Sequence, residues 1–213
     1  MSIVVDAISS SGKFDNVASK TWAHTVGTGV GRILLVLVSH RDYDNNESID
    51  VTSVTYAGTN LTKSIDVKGA NGSSSDIWYL KNPSTGANNV VVNFSPNSDY
   101  GACGAVSFLG SGGVFATASN NSNTTNISVS LQTPTGGFVV DCVHGESGSG
   151  LTMNGSQTQI FKTLDDQPDY NAGSYKSGIG DVSMDWTVAG EYWTIAAVSL
   201  APLKGGSFIF NLI

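Results

Sequence analysis

The chain has 213 residues, a formal net charge of −7, 25 glycines, and only 13% charged against 40% apolar residues. A chain of this length suits one domain and hides roughly 70% of the surface its unfolded form exposes, so a core forms without metals or disulfides. The acidic balance repels phosphate backbones and the longest apolar run, ILLVLV at 33–38, is only strand length, so neither nucleic-acid binding nor membrane insertion is expected.

The chain opens on MSIVVDAISSSGK, which has no charged-then-apolar leader and reads as a strand at once. Synthesis in a cytoplasm without a signal peptide is the expectation. Short β-branched and aromatic runs then recur between Gly, Asn, Ser and Pro clusters, and no dozen-residue window carries a helical stripe. They predict strands near 2–8, 20–26, 32–39, 51–57, 60–67, 75–80, 88–95, 101–108, 126–132, 137–144, 157–162, 170–177, 181–187 and 192–201. About 12 strands so spaced predict an all-β, antiparallel β-sandwich of two sheets. ILLVLV is apolar throughout and predicts a central strand covered on both faces, whereas SVTYAG, VVVNF and SVSL alternate as strands with one wet face do. NPSTG (82–86) and TPTGG (133–137) predict tight turns, and GTGVG (27–31) and GESGSG (145–150) connectors. The two halves of the chain have similar strand density, as two sheets would. Cys103 and Cys142 sit in apolar runs and read as small buried hydrophobes rather than a disulfide.

The segment RDYDNNESID (41–50) is the most chemically suggestive. An EF-hand loop starting at Asp42 would need Gly at its sixth position and Glu at its twelfth, where Glu47 and Ser53 stand. A looser calcium site from Asp42, Asp44 and Asp50 is the alternative to a solvated inter-strand loop, which is the preferred reading. The acidic run LDDQPDY (164–170) reads as solvated too. A meeting of the two runs at one end of the sandwich would favour a metal. The three histidines, His24, His40 and His144, lie in no G-x-S-x-G elbow or H-E-x-x-H helix, and His24 reads as a hydrogen-bonded strand residue. Glu146, Glu191 and Asp185 are carboxylates a glycosidase could use, but nothing in the sequence selects them. No catalytic residue is assigned, and no cofactor beyond that calcium candidate.

Among the aromatics, Trp78 and Trp193 are expected in the core, because each ring hides a large apolar area. Tyr79 and Tyr192 are the wetter neighbours and the candidate glycan contacts. Beyond residue 203 the chain changes character. A Gly-Gly hinge leads into Phe208, Ile209, Phe210, Leu212 and Ile213. Residues 1–203 are therefore read as one sandwich domain and 204–213 as an apolar tail that either folds back on its own sandwich or, the preferred reading, packs on a neighbouring subunit.

The strings TWAHTVGTGVGRILLVLVS, VTSVTYAGTNLT, DIWYLKNPSTGANNVVVNFS, GAVSFLG and AGSYKSGIGDVSMDWTVAGEYWTIAAVSLAP span about residues 2–203. Together they resemble a jelly-roll β-sandwich module found in bacteriophage structural proteins and large bacterial surface proteins. The markers are His-Thr before a Gly turn, Arg opening the apolar strand, a Tyr-x-Gly hairpin, the IWYL–NP block and the late AVSL ending. The resemblance implies a non-enzymatic virion protein, a capsid decoration or a fibre or spike component. Its expected partners are copies of itself, a homotrimer foremost, and other virion proteins. The alternative is a carbohydrate- or receptor-binding adhesion module on a host surface glycan, with calcium in the 42–50 loop as its candidate cofactor.

Overall fold

The computed structural model describes residues 2–43, 49–69, 72–146, 150–165, 169–189 and 192–204. The first half of the chain supplies β1 (Val4–Val26), β2 (Ile33–Arg41), β3 (Asp50–Tyr56), β4 (Thr59–Asn60), β5 (Thr62–Lys68), β6 (Ser73–Lys81) and β7 (Gly86–Leu109). The second half supplies β8 (Ser111–Ser122), β9 (Asn126–Glu146), β10 (Leu151–Met153), β11 (Thr158–Leu164), β12 (Asp169–Val188) and β13 (Trp193–Pro202). Each half is one antiparallel sheet: β4-β3-β7-β2-β6-β5 with β1 on β7, and β10-β12-β9-β13-β8 with β11 on β12. The chain crosses between sheets once, at Gly110. The expected all-β, antiparallel two-sheet sandwich is what forms, and its halves are its sheets.

Several expected pairs of short strands are single long ones. Segments 2–8 and 20–26 belong to β1, 88–95 and 101–108 to β7, 126–132 and 137–144 to β9, and 170–177 and 181–187 to β12. The Gly and Asn between them make bulges instead of reversals. Gly12 takes positive φ where β1 shifts register on β7, and Asn16 takes it just ahead of the next shift, between Val17 and Ser19. TPTGG, expected as a turn, lies inside β9, opposite a shift at Gly178–Gly180 of β12. Strand β8, SGGVFATASNNS, was not expected at all. Its small and polar residues carry little intrinsic signal, and its pairing with β13 makes it a strand.

The long strands bend back on themselves. Ser9 Oγ lies 2.8 Å from His24 Nδ1 and accepts from Trp22 Nε1 at 3.0 Å, although all three residues belong to β1. A straight strand would hold Ser9 and His24 on the order of 50 Å apart, at ~3.3 Å per residue. In the second sheet, Ser174 and Trp186 of β12 both donate to the Asp141 carboxylate, at 2.6–2.7 Å. Each sheet therefore curls, and three cores result. Leu34, Val36, Val38, Val54, Tyr56, Val92 and Trp22 fill the first sheet's concavity. Val129, Met184, Trp186, Trp193 and Ile195 fill the second's. Between the sheets lie Ile33, Leu35, Leu37, Phe108, Val140, Phe161 and Val198. ILLVLV is thus buried on both faces, as its composition predicts. All four tryptophans are buried, and Cys103 and Cys142 are free buried thiols.

Phe161 is wedged against a glycine of each sheet. A methyl on Gly104 would collide with its ring, and one on Gly173 would meet Phe161 Cε1 and Leu37 Cδ2 at 2.9 Å. Phe161→Ala is expected to cost about 3–5 kcal/mol, and Gly104→Ala about 1–3 kcal/mol through overpacking. In urea unfolding the double variant should lose less than the sum of the two. Additive losses would show that the ring does not depend on this glycine.

Candidate functional site

Strands β2 and β9 end, and β6, β12 and β13 begin, at one end of the sandwich. Polar residues gather there, most of them buried, and they meet across the gap between the sheets. Arg41 of the first sheet donates from Nη1 to Asp169 Oδ2 at 2.7 Å, and its Nη2 lies 3.1 Å from Glu146 Oε1, both on the second. Ser39 Oγ donates to Asn171 Oδ1 at 2.6 Å. The hydroxyls of Ser75 and Thr194 are 2.8 Å apart. The inter-sheet core is therefore continued at this end by a polar seam.

The seam orders its own protons. Asn171 Nδ2 donates to Asp165 Oδ2 at 3.1 Å, which turns Asn171 Oδ1 toward His144 Nδ1, 3.2 Å away. His144 therefore carries its proton on Nδ1. Its Nε2 is left bare, 3.8 Å from Asp169 Oδ2 and without a hydrogen bond. On the other side of β2, His40 Nε2 lies 3.3 Å from Asp76 Oδ2 but off the line a hydrogen bond needs.

Burial sets the charges. It works against the Arg41 cation, but the hydrogen bonds and charges of Asp169 and Glu146 outweigh it and raise the guanidinium pKa. Burial pushes the Asp169 carboxyl up to about 6 against the pull of Arg41. It also pushes Asp141 up to about 6 despite its donors from Trp186 and Ser174. It lowers His144 to about 3 and His24 to about 4.

These findings correct two expectations. The sequence predicts both acidic runs to be solvated, yet Arg41, Asp42, Asp165 and Asp169 are all buried. The two runs do meet, and what stands where they join is the Arg41 guanidinium. Of the calcium candidates, Asp42 is fixed through its N–H to Gly72 O at 3.1 Å. Asp50 is exposed and pairs with Lys68 at 2.6 Å, a hydrogen bond that lowers its pKa. Asp44 lies outside the described residues. Among the described residues no group of three His, Cys, Asp or Glu side chains is placed to hold a metal.

A second polar string runs through the first sheet. Asp6 Oδ2 accepts from Ser107 Oγ, Ser107 Oγ lies 3.2 Å from His24 Nε2, and His24 Nδ1 meets Ser9 Oγ at 2.8 Å. A hydroxyl at that distance from an imidazole has nucleophile–base geometry. With its pKa near 4, however, His24 is a weak base. The string pins the bend of β1, in keeping with the reading of His24 as a hydrogen-bonded strand residue.

Of the glycan candidates, Tyr79 is half-buried against the inter-sheet core. Tyr192 is half-buried and lines an open recess of about 200 Å³ with Asn121, Ser122, Asn123 and Trp193. Glu146 belongs to the seam, Asp185 accepts from Ser128 Oγ at 2.7 Å, and Glu191 lies outside the described residues. So do Phe208, Ile209, Phe210, Leu212 and Ile213. The described chain leaves the sandwich at Leu203, whose N–H donates to Gly110 O at 2.7 Å. Asp76, Asp141 and Asn171 were not singled out in the sequence. The signal was there for Asp141 and His144, two polar residues inside the apolar run GFVVDCVHG. No family model matches the chain, and no curated protein matches it.

Arg41→Met leaves Asp169 as an uncompensated buried charge and is expected to destabilise by about 3–5 kcal/mol at neutral pH. Arg41→Met with Asp169→Leu should recover most of that in urea unfolding. A single variant as stable as the parent would remove the seam from the energetics.

The pH dependence follows from the same groups. His24 and His144 have folded pKa values below the ordinary 6.5, so the stability they contribute is present above 6.5 and is lost as pH falls toward 4 and 3. Asp141 and Asp169 have folded values above 3.8, so theirs is present below 3.8 and is lost as pH rises through about 6. Between these limits the unfolded chain holds two protons on the histidines and the folded chain two on the carboxyls, so the four contributions nearly cancel. His144→Asn breaks the balance. The stability gap between parent and variant should shrink by roughly 3 kcal/mol from pH 7 to pH 4. Urea titrations across that range check it, and a constant gap would contradict the assignment.

Proposed function

We propose that the protein is a non-enzymatic structural module, a virion component of a phage of the kind the sequence resemblance implies. It would serve as a capsid decoration or as part of a fibre or spike. Copies made in the host cytoplasm would assemble as a homo-oligomer, a trimer foremost, on other virion proteins. The observation that carries this reading is the bracing of the sandwich. Two curled sheets bury both faces of β2 and β13, and a polar seam ties them at the loop end. A body with three cores and pinned bends opens locally only at high cost, which suits a part that must hold shape under load.

The surface supports assembly in a second way. Val4, Ile8, Val30, Phe115 and Ile179 are exposed apolar residues, and the first two lie on β1, an outer strand that pairs with β7 alone among the described strands. Gly12, Lys13 and Lys20 interrupt that edge with a bulge and charge, which disfavours indiscriminate strand addition. Contact with a defined neighbour would cover the apolar stretch.

Light scattering after size exclusion tests the reading on the full chain and on a version ending at Lys204. The full chain should be a trimer, and the shortened chain, which keeps every described strand, a monomer. A full chain that stays monomeric at high concentration would overturn the proposal.

A further inference from the structure

We propose that the recess between the end of β8 and the start of β13 binds a single neutral sugar ring. This goes beyond the assembly reading and does not depend on it. The walls of the recess are preformed. Ser122 and Trp193 are paired across the β8–β13 ladder. Trp193 is 2% exposed and donates from Nε1 to Thr124 O at 2.7 Å, which fixes the turn that carries Asn123. Tyr192 is held from the other side, where its carbonyl accepts from Glu146 N–H at 2.9 Å.

The chemistry of the lining selects the ligand. Asn121, Ser122, Asn123, Tyr192 and Trp193 carry no formal charge, so neither an anion nor a cation is favoured. Two carboxamides, each both donor and acceptor, stand beside a hydroxyl and an aromatic ring. A flat apolar ligand would leave the amides unpaired on desolvation. A pyranose satisfies both halves, its C–H face on Tyr192 and its vicinal hydroxyls on the amides. The groups are available: neither the Asn123 amide nor the Tyr192 hydroxyl has a hydrogen-bond partner among the described residues. Asn121 points Nδ2 at Lys68 O, 3.5 Å away, and its Oδ1 accepts no hydrogen bond among the described residues. The volume of about 200 Å³ lies below the ~300–1,000 Å³ of pockets for drug-sized ligands, so one ring fits and the rest of a glycan would lie outside.

The test is a ¹⁵N–¹H correlation titration of the full chain with glucose, galactose, mannose and N-acetylglucosamine, each used alone. At least one should shift the amides of 121–123 and 192–193 and the Trp193 indole, with a dissociation constant on the order of millimolar, as a small ring in a shallow site permits. Asn123→Ala, a change at an exposed turn, should weaken that sugar about tenfold. Tyr192→Ala should abolish its binding, and Phe115→Ala, an exposed aromatic on the same strand, should leave it unchanged. No shift with any of the four sugars, shifts centred elsewhere, or equal binding by Asn123→Ala and Tyr192→Ala would overturn the proposal. Light scattering on the same samples reads assembly separately, so failure of the sugar site leaves the assembly reading standing.

Discussion

Two strands that double back on themselves determine everything else in this molecule. A bend of that kind brings distant parts of one strand face to face, and a polar group pins each bend. Ser9 holds Trp22 and His24 in the first sheet, and Asp141 holds Ser174 and Trp186 in the second. These contacts form only when the curl is correct. A carboxylate as deeply buried as Asp141 is costly in any arrangement that leaves its oxygens without donors. The same groups that stabilise the native curl therefore penalise every wrong one.

From the curl comes the layering. A flat sandwich has one wet face per sheet, and its strands alternate. Once each sheet closes over its own outer face, the central strands are dry on both sides, and β2 and β13 must be apolar at nearly every position. The polar exceptions then collect where the strands end. Where the two sheets would otherwise part, Ser39 and Arg41 of the first bond Asn171 and Asp169 of the second across the gap, and His144 bonds Asn171 beside them within the second sheet.

This division explains what the sequence reveals and what it hides. ILLVLV announces a strand with no wet face, and the alternation of SVTYAG and VVVNF is the pattern seen in β3 and β7. Such features are local, because period and composition act over a few residues. The continuity of β1, β7, β9 and β12 is not local. Gly12, Asn16 and the TPTGG stretch are as good for a turn as for a bulge, and only a matching partner strand decides between them. The seam is hidden for the same reason. Arg41 and Asp169 are 128 residues apart, so each reads alone as a solvated charge in an acidic loop. Tyr192 could be marked as a wet aromatic from its strand position, but its companion Asn121 comes from a strand that the sequence does not disclose, and Asn123 from the turn that follows it.

The seam and the recess share a frame. Glu146 ends β9, bonds Arg41 through its side chain, and holds the Tyr192 carbonyl through its backbone. The wall that presents the Tyr192 ring is thus anchored to the ion pair that joins the sheets. A ligand arriving there meets groups that are already ordered, and little conformational entropy is lost on contact. Rigidity and recognition are then not competing demands on this fold. The bracing on which the proposed building-block role rests also frames the asparagine-lined recess, at the end of the sandwich where the strands of both sheets terminate.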